Sequence, residues 1–436
     1  MTKYNKVKMS FKGLKGKKVQ ADFKGGQITS DGGALLLREI DNKLKLTKKA
    51  AGLINDKRDK RKIKHSVLSM LRQRIYGIAQ GYEDLNDHNE LRKDPAFQTA
   101  LNQESEPGSS PTLCRFENSI DKKSVVNLHK LMLEPFMDSF DNPPECLILD
   151  FDATDDRVHG NQEGKFYHGY YRHYCFLPLY VFCESQLLVS YLRPSNIDGA
   201  KHSWAILALL VKAFRKRWPD VEIVFRADSG FCRHLLFNWC ERNSVGYIVG
   251  LPGNDVLKDK SSFQRFTVGI LHSHSGEMET LIDEFYYAAK TWTKERRVIV
   301  KTERNALGPN TRYVVTNLDG LPDELYEKVY CLRGRMEQSI GEQLSFCSDR
   351  TSCHAWLANQ FRLTLTSLAY ILVDALRRLA LADTKMANCR VDTIRLKLLK
   401  VGALIVTNTR RIVFKLSENY VYKDLFICAY RKLCPG

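Results

Sequence analysis

Between Cys146 and Leu251, short apolar runs alternate with segments of helical periodicity, an order that few folds can accommodate. Three runs come first, joined by short connections, and each of the next two follows a helical segment. Runs of this length predict buried strands, so the order β-β-β-α-β-α-β predicts a mixed sheet covered by helices. The predicted strands are 146–152, 174–183, 187–192, 222–227 and 246–251, with helices over 200–218 and 231–242.

Two of these strands end in an acidic residue, Asp152 after the first and Asp228 after the fourth. Functional sites commonly form at the ends of strands in sheets with helical cover. Two carboxylates brought together there repel each other unless a cation lies between them, and hard divalent cations take oxygen ligands. Asp150 competes with Asp152 for this role, because alternation along a strand puts both side chains on one face.

A third carboxylate is expected from a helix predicted near residues 321–344, and Glu337 is the best candidate. Tyr330, Arg333 and Glu337 stand at i, i+3 and i+7, which places them within an arc of about 60° on a regular helix. Arg333 is expected to neutralise a phosphate, and its alternative role is a salt bridge to Glu337. The weaker acidic candidates are Asp155, Asp156 and Glu342.

Positive charge is concentrated near the N-terminus. The chain carries a net charge of +17, and its first 65 residues hold 19 Lys and Arg against 6 Asp and Glu. Such segregation predicts a polyanionic partner, most simply nucleic acid, with a solvated tail as the alternative. Residues 1–28 are expected to form an arm. The densest basic run is the expected DNA contact and comprises Lys57, Arg58, Lys60, Arg61, Lys62 and Lys64.

Other features exclude several classes of protein. No apolar run is long enough for a membrane span, and no apolar stretch follows the first lysines as it would in a signal peptide. The twelve cysteines include no C-x-x-C pair, which is typical of a reduced, cytosolic chain. Neither a phosphate-binding G-x-x-x-x-G-K-[ST] loop nor a G-x-G-x-x-G motif occurs, so no nucleotide cofactor is expected.

Sequence blocks spread over about residues 25–420 carry a family resemblance. They are 29–36 (TSDGGALL), 149–156 (LDFDATDD), 166–170 (FYHGY), 192–196 (LRPSN), 226–231 (RADSGF) and 393–400 (TIRLKLLK). With the Tyr-x2-Arg-x3-Glu spacing of residues 330–337, they resemble bacterial insertion-sequence transposases of the DDE type. More narrowly, they resemble DDE domain group 1, a relative of the piggyBac transposases. The Y-R-E signature usually continues to a Lys, whereas the nearby positions here hold Gly341 and Leu344.

The resemblance implies an α/β fold: a ribonuclease-H-like mixed sheet with helices on both faces, a β-rich insertion between the second and third acids, and a mostly helical, basic N-terminal region. It implies that Asp152, Asp228 and Glu337 are catalytic and bind two Mg²⁺ ions, for which Mn²⁺ can substitute. Arg333 would contact DNA. The implied activity is metal-dependent cleavage and strand transfer at terminal inverted repeats, in the bacterial cytoplasm at the nucleoid.

Double-stranded DNA is the implied partner, with a homodimer in the synaptic complex. The expected segments are a DNA-binding region (1–140), a catalytic core in two parts (141–254 and 326–385), the insertion (255–325) and a C-terminal segment that contacts DNA ends (386–436). Two alternatives remain open. One is a transposase-derived DNA-binding protein without catalysis, and the other is a different ribonuclease-H-like nuclease.

Overall fold

A computed structural model describes residues 8–435, which divide into two compact units. The first unit combines the N-terminal part up to Glu117 with the C-terminal part from Leu372 onwards, and the second runs from Asn118 to Ile371. Within the described residues, no helix is long and apolar enough to cross a membrane.

The secondary structure elements have the following bounds. In chain order, the strands are β1 (Met9–Leu14), β2 (Lys17–Ala21), β3 (Gln27–Thr29), β4 (Cys146–Ala153), β5 (Asp156–Arg157), β6 (Phe166–His168), β7 (His173–Phe176), β8 (Leu179–Cys183), β9 (Gln186–Tyr191), β10 (Glu222–Ala227), β11 (Gly246–Leu251), β12 (Glu279–Tyr287), β13 (Arg296–Asn305), β14 (Gly308–Thr316), β15 (Ala403–Thr407) and β16 (Ile412–Leu416). The helices are α1 (Ala34–Leu44), α2 (Leu46–Leu53), α3 (Val67–Ala79), α4 (His88–Leu91), α5 (Pro95–Ala100), α6 (Ser110–Asn118), α7 (Lys122–Met137), α8 (Ser203–Arg217), α9 (His234–Arg242), α10 (Asp255–Lys260), α11 (Ser262–Ser275), α12 (Pro322–Glu324), α13 (Gly334–Ser345), α14 (Trp356–Ala380), α15 (Val391–Ile394) and α16 (Lys423–Leu433).

The second unit is built on a mixed sheet with strand order β12-β13-β14-β11-β10-β4-β8-β9. Strand β10 runs parallel to both β4 and β11, and the other neighbours are antiparallel. Alternate residues of β10 are buried on opposite faces. Phe225 lies in a core with side chains from α8 and α9, while Val224 packs with Leu325 and Tyr326 on the other face. The mixed sheet expected from the sequence is therefore present, with apolar cover on both sides.

One predicted strand, 174–183, is divided in two. Strand β7 ends at Phe176 and β8 begins at Leu179, with Pro178 between them. Proline lacks the N–H group that a central strand needs, so the chain leaves one sheet there and enters another. Strand β7 pairs with β5 and β6 in a small antiparallel sheet, whereas β8 pairs with β4 and β9 in the large one.

The expected insertion over 255–325 is only partly β-structured. It opens with helices α10 and α11, and its strands β12, β13 and β14 continue the large sheet because β14 pairs with β11. Helix α11 escaped the sequence analysis because its polar and apolar residues are not separated between its buried and exposed faces. Phe263 and Phe266 are exposed there, while Gln264 is buried. Without a buried apolar stripe, helical periodicity gives no signal.

The N-terminal part of the first unit is largely helical from Ala34 onwards, as expected. Residues 9–21, expected to belong to an arm, instead form the hairpin β1–β2. Lys15 and Gly16 connect the two strands with φ values of 46° and 81°, the left-handed conformation that tight two-residue hairpin turns require. Every side chain of this hairpin except that of Met9 is exposed, so no alternation of burial marks it in the sequence. The first seven residues of the expected arm lie outside the described part.

Two blocks that carry the family resemblance meet within the first unit. The backbone N–H of Gly32 donates to the carbonyl oxygen of Val401 at 2.8 Å, and that of Gly33 donates to Leu399 at 3.2 Å. A Cβ atom on Gly33 would overlap the carbonyl oxygen of Leu398 and lie 2.5 Å from the Cα atom of Leu399. Only glycine therefore allows these two backbones to approach so closely.

The substitution Gly33→Ala is expected to destabilise the first unit by about 1–3 kcal/mol, the usual range for overpacking against atoms that cannot move aside. Gly52→Ala is the matched control, because Gly52 lies in helix α2 with no atom within contact distance of a Cβ. It should leave the stability unchanged or slightly raised. Urea denaturation followed by circular dichroism measures both. Equal stability of the two variants would contradict this account of the glycine.

Candidate active site

Asp152 and Asp228 lie side by side at one end of the large sheet. Strands β4 and β10 are parallel neighbours in which Asp150 pairs with Arg226 and Phe151 with Ala227. Asp152 and Asp228 are the next residues along the two strands. The carboxyl ends of parallel strands meet at one edge, so both acids lie on the same side of the molecule. The structure brings together the two acids that the sequence analysis paired.

Arg333 joins the predicted third acid to this sheet end. Its Nη1 lies 3.4 Å from Oδ2 of Asp152, and its Nη2 donates to Oε1 of Glu337 at 2.9 Å. The helix predicted over 321–344 is irregular here, with a π-helical turn over Leu325–Tyr330 and a 3₁₀ turn over Cys331–Arg333 before α13 begins. The salt bridge between Arg333 and Glu337, which the sequence analysis gave as the alternative role of Arg333, is present, and Arg333 also contacts Asp152.

Negative charge at this site is only partly balanced. Burial, reinforced by the charge of Asp228, raises the pKa of Asp152 from its ordinary 3.8 to about 6, although Arg333 acts in the opposite direction. Asp228 uses Oδ1 to accept a hydrogen bond from the N–H of Gly230 at 2.9 Å. The side chain of Glu337 is 64% exposed and so is free to change position. A further positive charge would stabilise this cluster.

The three carboxylates suit divalent cations chemically, because Mg²⁺ takes oxygen ligands. Their positions here are not those of a completed metal site. Among residues 8–435, no three His, Cys, Asp or Glu side chains are close enough together to hold a metal ion. The guanidinium of Arg333 lies between Asp152 and Glu337 instead.

Asp150, the competitor of Asp152, is committed to a different contact. Both of its oxygens accept hydrogen bonds from Arg226, at 2.5 and 2.7 Å, and both side chains are buried. Arg226 also donates to the carbonyl oxygen of Val329 in the π-helical turn. This contact, which we call the Asp150–Arg226–Val329 clamp, connects β4, β10 and the segment that leads to Arg333. A charged residue inside the apolar run 223–227 was the sequence signal for it, and the sequence analysis did not use it.

The remaining predicted site residues lie in other surroundings. Asp155 contacts Nε2 of His173 at 2.7 Å, the buried Asp156 accepts a hydrogen bond from Thr351, and Glu342 is buried. In the first unit, all six residues of the basic run are exposed. Arg58 pairs with Asp56 at 2.8 Å and Arg61 pairs with Asp59 at 3.3 Å. Within the described residues no acid pairs with the other members, which are Lys57, Lys60, Lys62 and Lys64.

Comparison with known families is decisive for the chain's identity. The family described as Transposase DDE domain group 1 matches residues 11–435. The chain belongs to this family. Among solved structures, a cryo-EM structure of the piggyBac transposase synaptic complex with hairpin DNA is similar, with a TM-score of 0.36, 11% sequence identity and coverage of 89% of each chain. Comparison with curated proteins gives no significant match.

In this transposase, Asp150→Asn and Asp152→Asn should have opposite effects on stability although they change the same chemical group on the same strand. Asp150→Asn leaves the buried Arg226 without its counter-charge, and breaking such a pair costs about 3–5 kcal/mol of unfolding free energy. Burial raises the pKa of both carboxyl groups, but only Asp150 forms a close pair with a buried arginine, so Asp152→Asn should leave stability raised or unchanged. Urea titration at pH 7 in EDTA provides the comparison. Equal losses for both variants would contradict the assignment of Asp150 to the clamp.

The raised pKa of Asp152 also predicts a pH dependence. The folded protein holds this proton up to about pH 6, whereas the unfolded chain releases it near its ordinary value of 3.8. The contribution to stability is therefore greatest at low pH and is lost as the pH rises through about 6. Stability measured between pH 4 and 7 in EDTA should decline less with rising pH in Asp152→Asn than in the unmodified transposase. Parallel profiles of stability against pH for the two proteins would contradict the raised pKa of Asp152.

Proposed function

We propose that this transposase binds the terminal inverted repeats of its own insertion sequence, cleaves the DNA there and transfers the strands to a target. The convergence of Asp152, Asp228 and Glu337 around Arg333 carries the proposal. The strand order β9-β8-β4-β10-β11, antiparallel up to β4 and parallel after it, supports a ribonuclease-H-like assignment for this part of the sheet. Both observations agree with membership of a DDE transposase family.

The proposed chemistry is two-metal phosphoryl transfer. Asp152, Asp228 and Glu337 would together hold the two Mg²⁺ ions. When bound, the cations supply activation of a water or 3′-hydroxyl nucleophile and stabilisation of the leaving oxygen. Mn²⁺ can substitute because it accepts the same carboxylate ligands. Each carboxylate comes from a different part of the fold: Asp152 lies in β4, Asp228 directly follows β10 and Glu337 lies in α13.

Arg333 is proposed to exchange partners during this process. Without cations its guanidinium balances Asp152 and Glu337, whereas cations would take over that role. The released guanidinium then suits a DNA phosphate next to the reacting bond, because its planar fork can donate two hydrogen bonds to one anion. The two roles expected of Arg333 from the sequence thus describe successive states of one side chain.

Double-stranded DNA is the proposed partner, both as transposon end and as target. The unpaired lysines of the basic run would contact phosphates, which position a protein without reading sequence. Strand transfer joins two transposon ends in one event, so both ends have to be held in one complex. We therefore propose a homodimer in the synaptic complex.

The variants Asp152→Asn, Asp228→Asn and Glu337→Gln should each lower the cleavage rate by at least about 100-fold, because even residues that only support metal ligands contribute 10–100-fold. Binding to DNA should remain close to that of the unmodified protein, since the side-chain volume hardly changes. Cleavage of a labelled duplex containing the element's terminal repeat, in Mg²⁺ or Mn²⁺, is the assay. Glu327→Gln is the control, an exposed acid that precedes Arg333 in the chain.

Two outcomes would favour the alternatives. Tight binding without cleavage by the unmodified protein would indicate a transposase-derived DNA-binding protein. Cleavage of branched or arbitrary DNA, with no preference for terminal repeats, would indicate another nuclease. Full activity in excess chelator would contradict the metal mechanism itself.

Replacing Lys57, Lys60, Lys62 and Lys64 with Ala should weaken binding to terminal-repeat and random DNA by similar factors. Each phosphate contact contributes about −0.9 to the slope of log K against log salt concentration, so the slope should flatten by about 3 to 4 units. The control removes four lysines that each form a surface ion pair, namely Lys93, Lys258, Lys328 and Lys432. Fluorescence anisotropy at several salt concentrations separates the variants. An unchanged slope in the first variant would indicate a solvated tail.

A further inference from the structure

A hairpin rich in aromatic residues follows the strand that carries Asp152. Strands β6 and β7 pair antiparallel, and residues 169–172 (GYYR) connect them. The turn is closed by a 2.8 Å hydrogen bond from the N–H of Arg172 to the carbonyl oxygen of His168, and Arg172 has a φ of 60°. Left-handed backbone is uncommon outside glycine and requires support from its surroundings. We call residues 166–176 the aromatic hairpin.

The aromatic hairpin exposes rings that a soluble fold usually covers. Tyr170 at its tip is 84% exposed, which makes it the most exposed aromatic side chain in the described part of the chain. Tyr167 and Tyr174 oppose each other across the strands, with ring centroids 5.6 Å apart, and both are more than half exposed. Three exposed aromatic rings on one short hairpin indicate a binding role.

The hairpin is attached next to Asp152. Strand β5 begins four residues after Asp152, and it pairs with β7. Asp155 lies between Asp152 and β5 in the chain, and its Oδ2 contacts Nε2 of His173 in the hairpin at 2.7 Å. Tyr171 lies beside the tip. Burial and the charges of Asp155 and Asp152 raise the pKa of its hydroxyl to about 12. The β5–β7 pairing and the Asp155–His173 contact hold the hairpin next to the segment that follows Asp152.

Positive charge flanks the exposed rings. Arg157 and Arg172 are exposed, and no acid pairs with either among residues 8–435. Nζ of Lys165 lies 5.4 Å from the centroid of the Tyr174 ring. Exposed aromatic rings beside unpaired basic groups are the combination with which proteins bind single-stranded nucleic acid, because the rings stack on bases and the cations contact phosphates.

We propose that Tyr170 stacks on an unpaired base of the DNA end held at the candidate active site. This inference rests on the proposed function. A base inside a duplex has both faces covered by its neighbours, so stacking on a protein ring requires a nucleotide that has left the helix. The ring would hold the opened strand next to Asp152, which keeps the adjacent phosphate accessible. Arg157 and Arg172 would contact the phosphates of that strand.

A double-mutant cycle between the protein and the DNA tests the proposal. The probe is a fluorescein-labelled duplex of the element's terminal repeat, in which one abasic site is moved through the positions around the cleavage point. Affinity is measured by anisotropy in EDTA, so that no cleavage interferes. The protein variants are Tyr170→Ala, Tyr170→Phe and, as control, Tyr286→Ala, which removes a tyrosine that is 61% exposed on β12.

At one position, the abasic site should weaken binding of the unmodified transposase by about 5- to 100-fold, the usual contribution of one stacked base. The same abasic site should have little effect on Tyr170→Ala, which already lacks the stacking ring. Tyr170→Phe should behave as the unmodified protein because it keeps the ring. Tyr286→Ala should show the full abasic effect. In the complex with Tyr170→Ala, permanganate should also oxidise thymines near the cut that the unmodified protein and Tyr170→Phe protect.

Absence of coupling at every position, with normal binding of the unmodified protein, would overturn the stacking proposal. Coupling of equal size for Tyr286→Ala would overturn it as well, because the effect would not belong to the hairpin. Since Tyr170 is almost fully exposed, its variants should fold normally, and thermal denaturation checks this. Failure of the unmodified protein to cleave its terminal repeat would instead contradict the proposed function. The coupling measured in EDTA does not depend on cleavage and would still decide the stacking proposal.

Discussion

The arrangement of the candidate active site depends on a buried ion pair between Asp150 and Arg226. Asp150 lies two residues before Asp152, and Arg226 lies two residues before Asp228, so the pair fixes the register in which the two acids leave the sheet. The third contact of Arg226, to the carbonyl oxygen of Val329, fixes the segment from which Arg333 and Glu337 follow. Buried ion pairs contribute little net stability compared with well-packed apolar residues. The advantage of the ion pair here is specificity, because an apolar contact would not determine which side chains meet.

Arg333 shows how the same site avoids the cost of uncompensated charge. Three carboxylates at one sheet end repel one another, and one guanidinium that contacts two of them relieves part of that repulsion. A lysine would be a poorer substitute, because its compact charge cannot donate along two separate directions in a fixed plane. The relief is incomplete, because burial and the charge of Asp228 still raise the pKa of Asp152. A further positive charge at this sheet end would therefore lower the cost of keeping Asp152 ionised.

The sequence predicted the elements whose burial pattern is regular and missed those whose pattern is not. Strands β10 and β11 have the predicted bounds, because mainly apolar runs between turns leave little choice. The hairpin over residues 9–21 and helix α11 were missed because their exposed faces carry apolar residues or their buried faces carry polar ones. Within the site, Asp152 and Asp228 could be paired from strand order alone. The choice between Asp150 and Asp152 could not be made from the sequence, since it depends on Arg226, which lies 76 positions after Asp150 in the chain.

The sequence blocks that identify the family perform two different physical tasks. The blocks around Asp152 and Asp228 supply charged groups to one sheet end and also contain the ion pair that orients them. The blocks at 29–36 and 393–400 supply no such cluster. Instead, Gly33 permits close backbone contact with Leu399, and the buried Asp31 accepts hydrogen bonds from Tyr82 and Lys400, at 2.8 and 2.7 Å. A carboxylate that is buried, paired and neutralised in this way has no capacity left for a cation. Accessibility of unsatisfied charge, more than the presence of an acid in a recognisable motif, therefore distinguishes a candidate site residue from a structural one in this transposase.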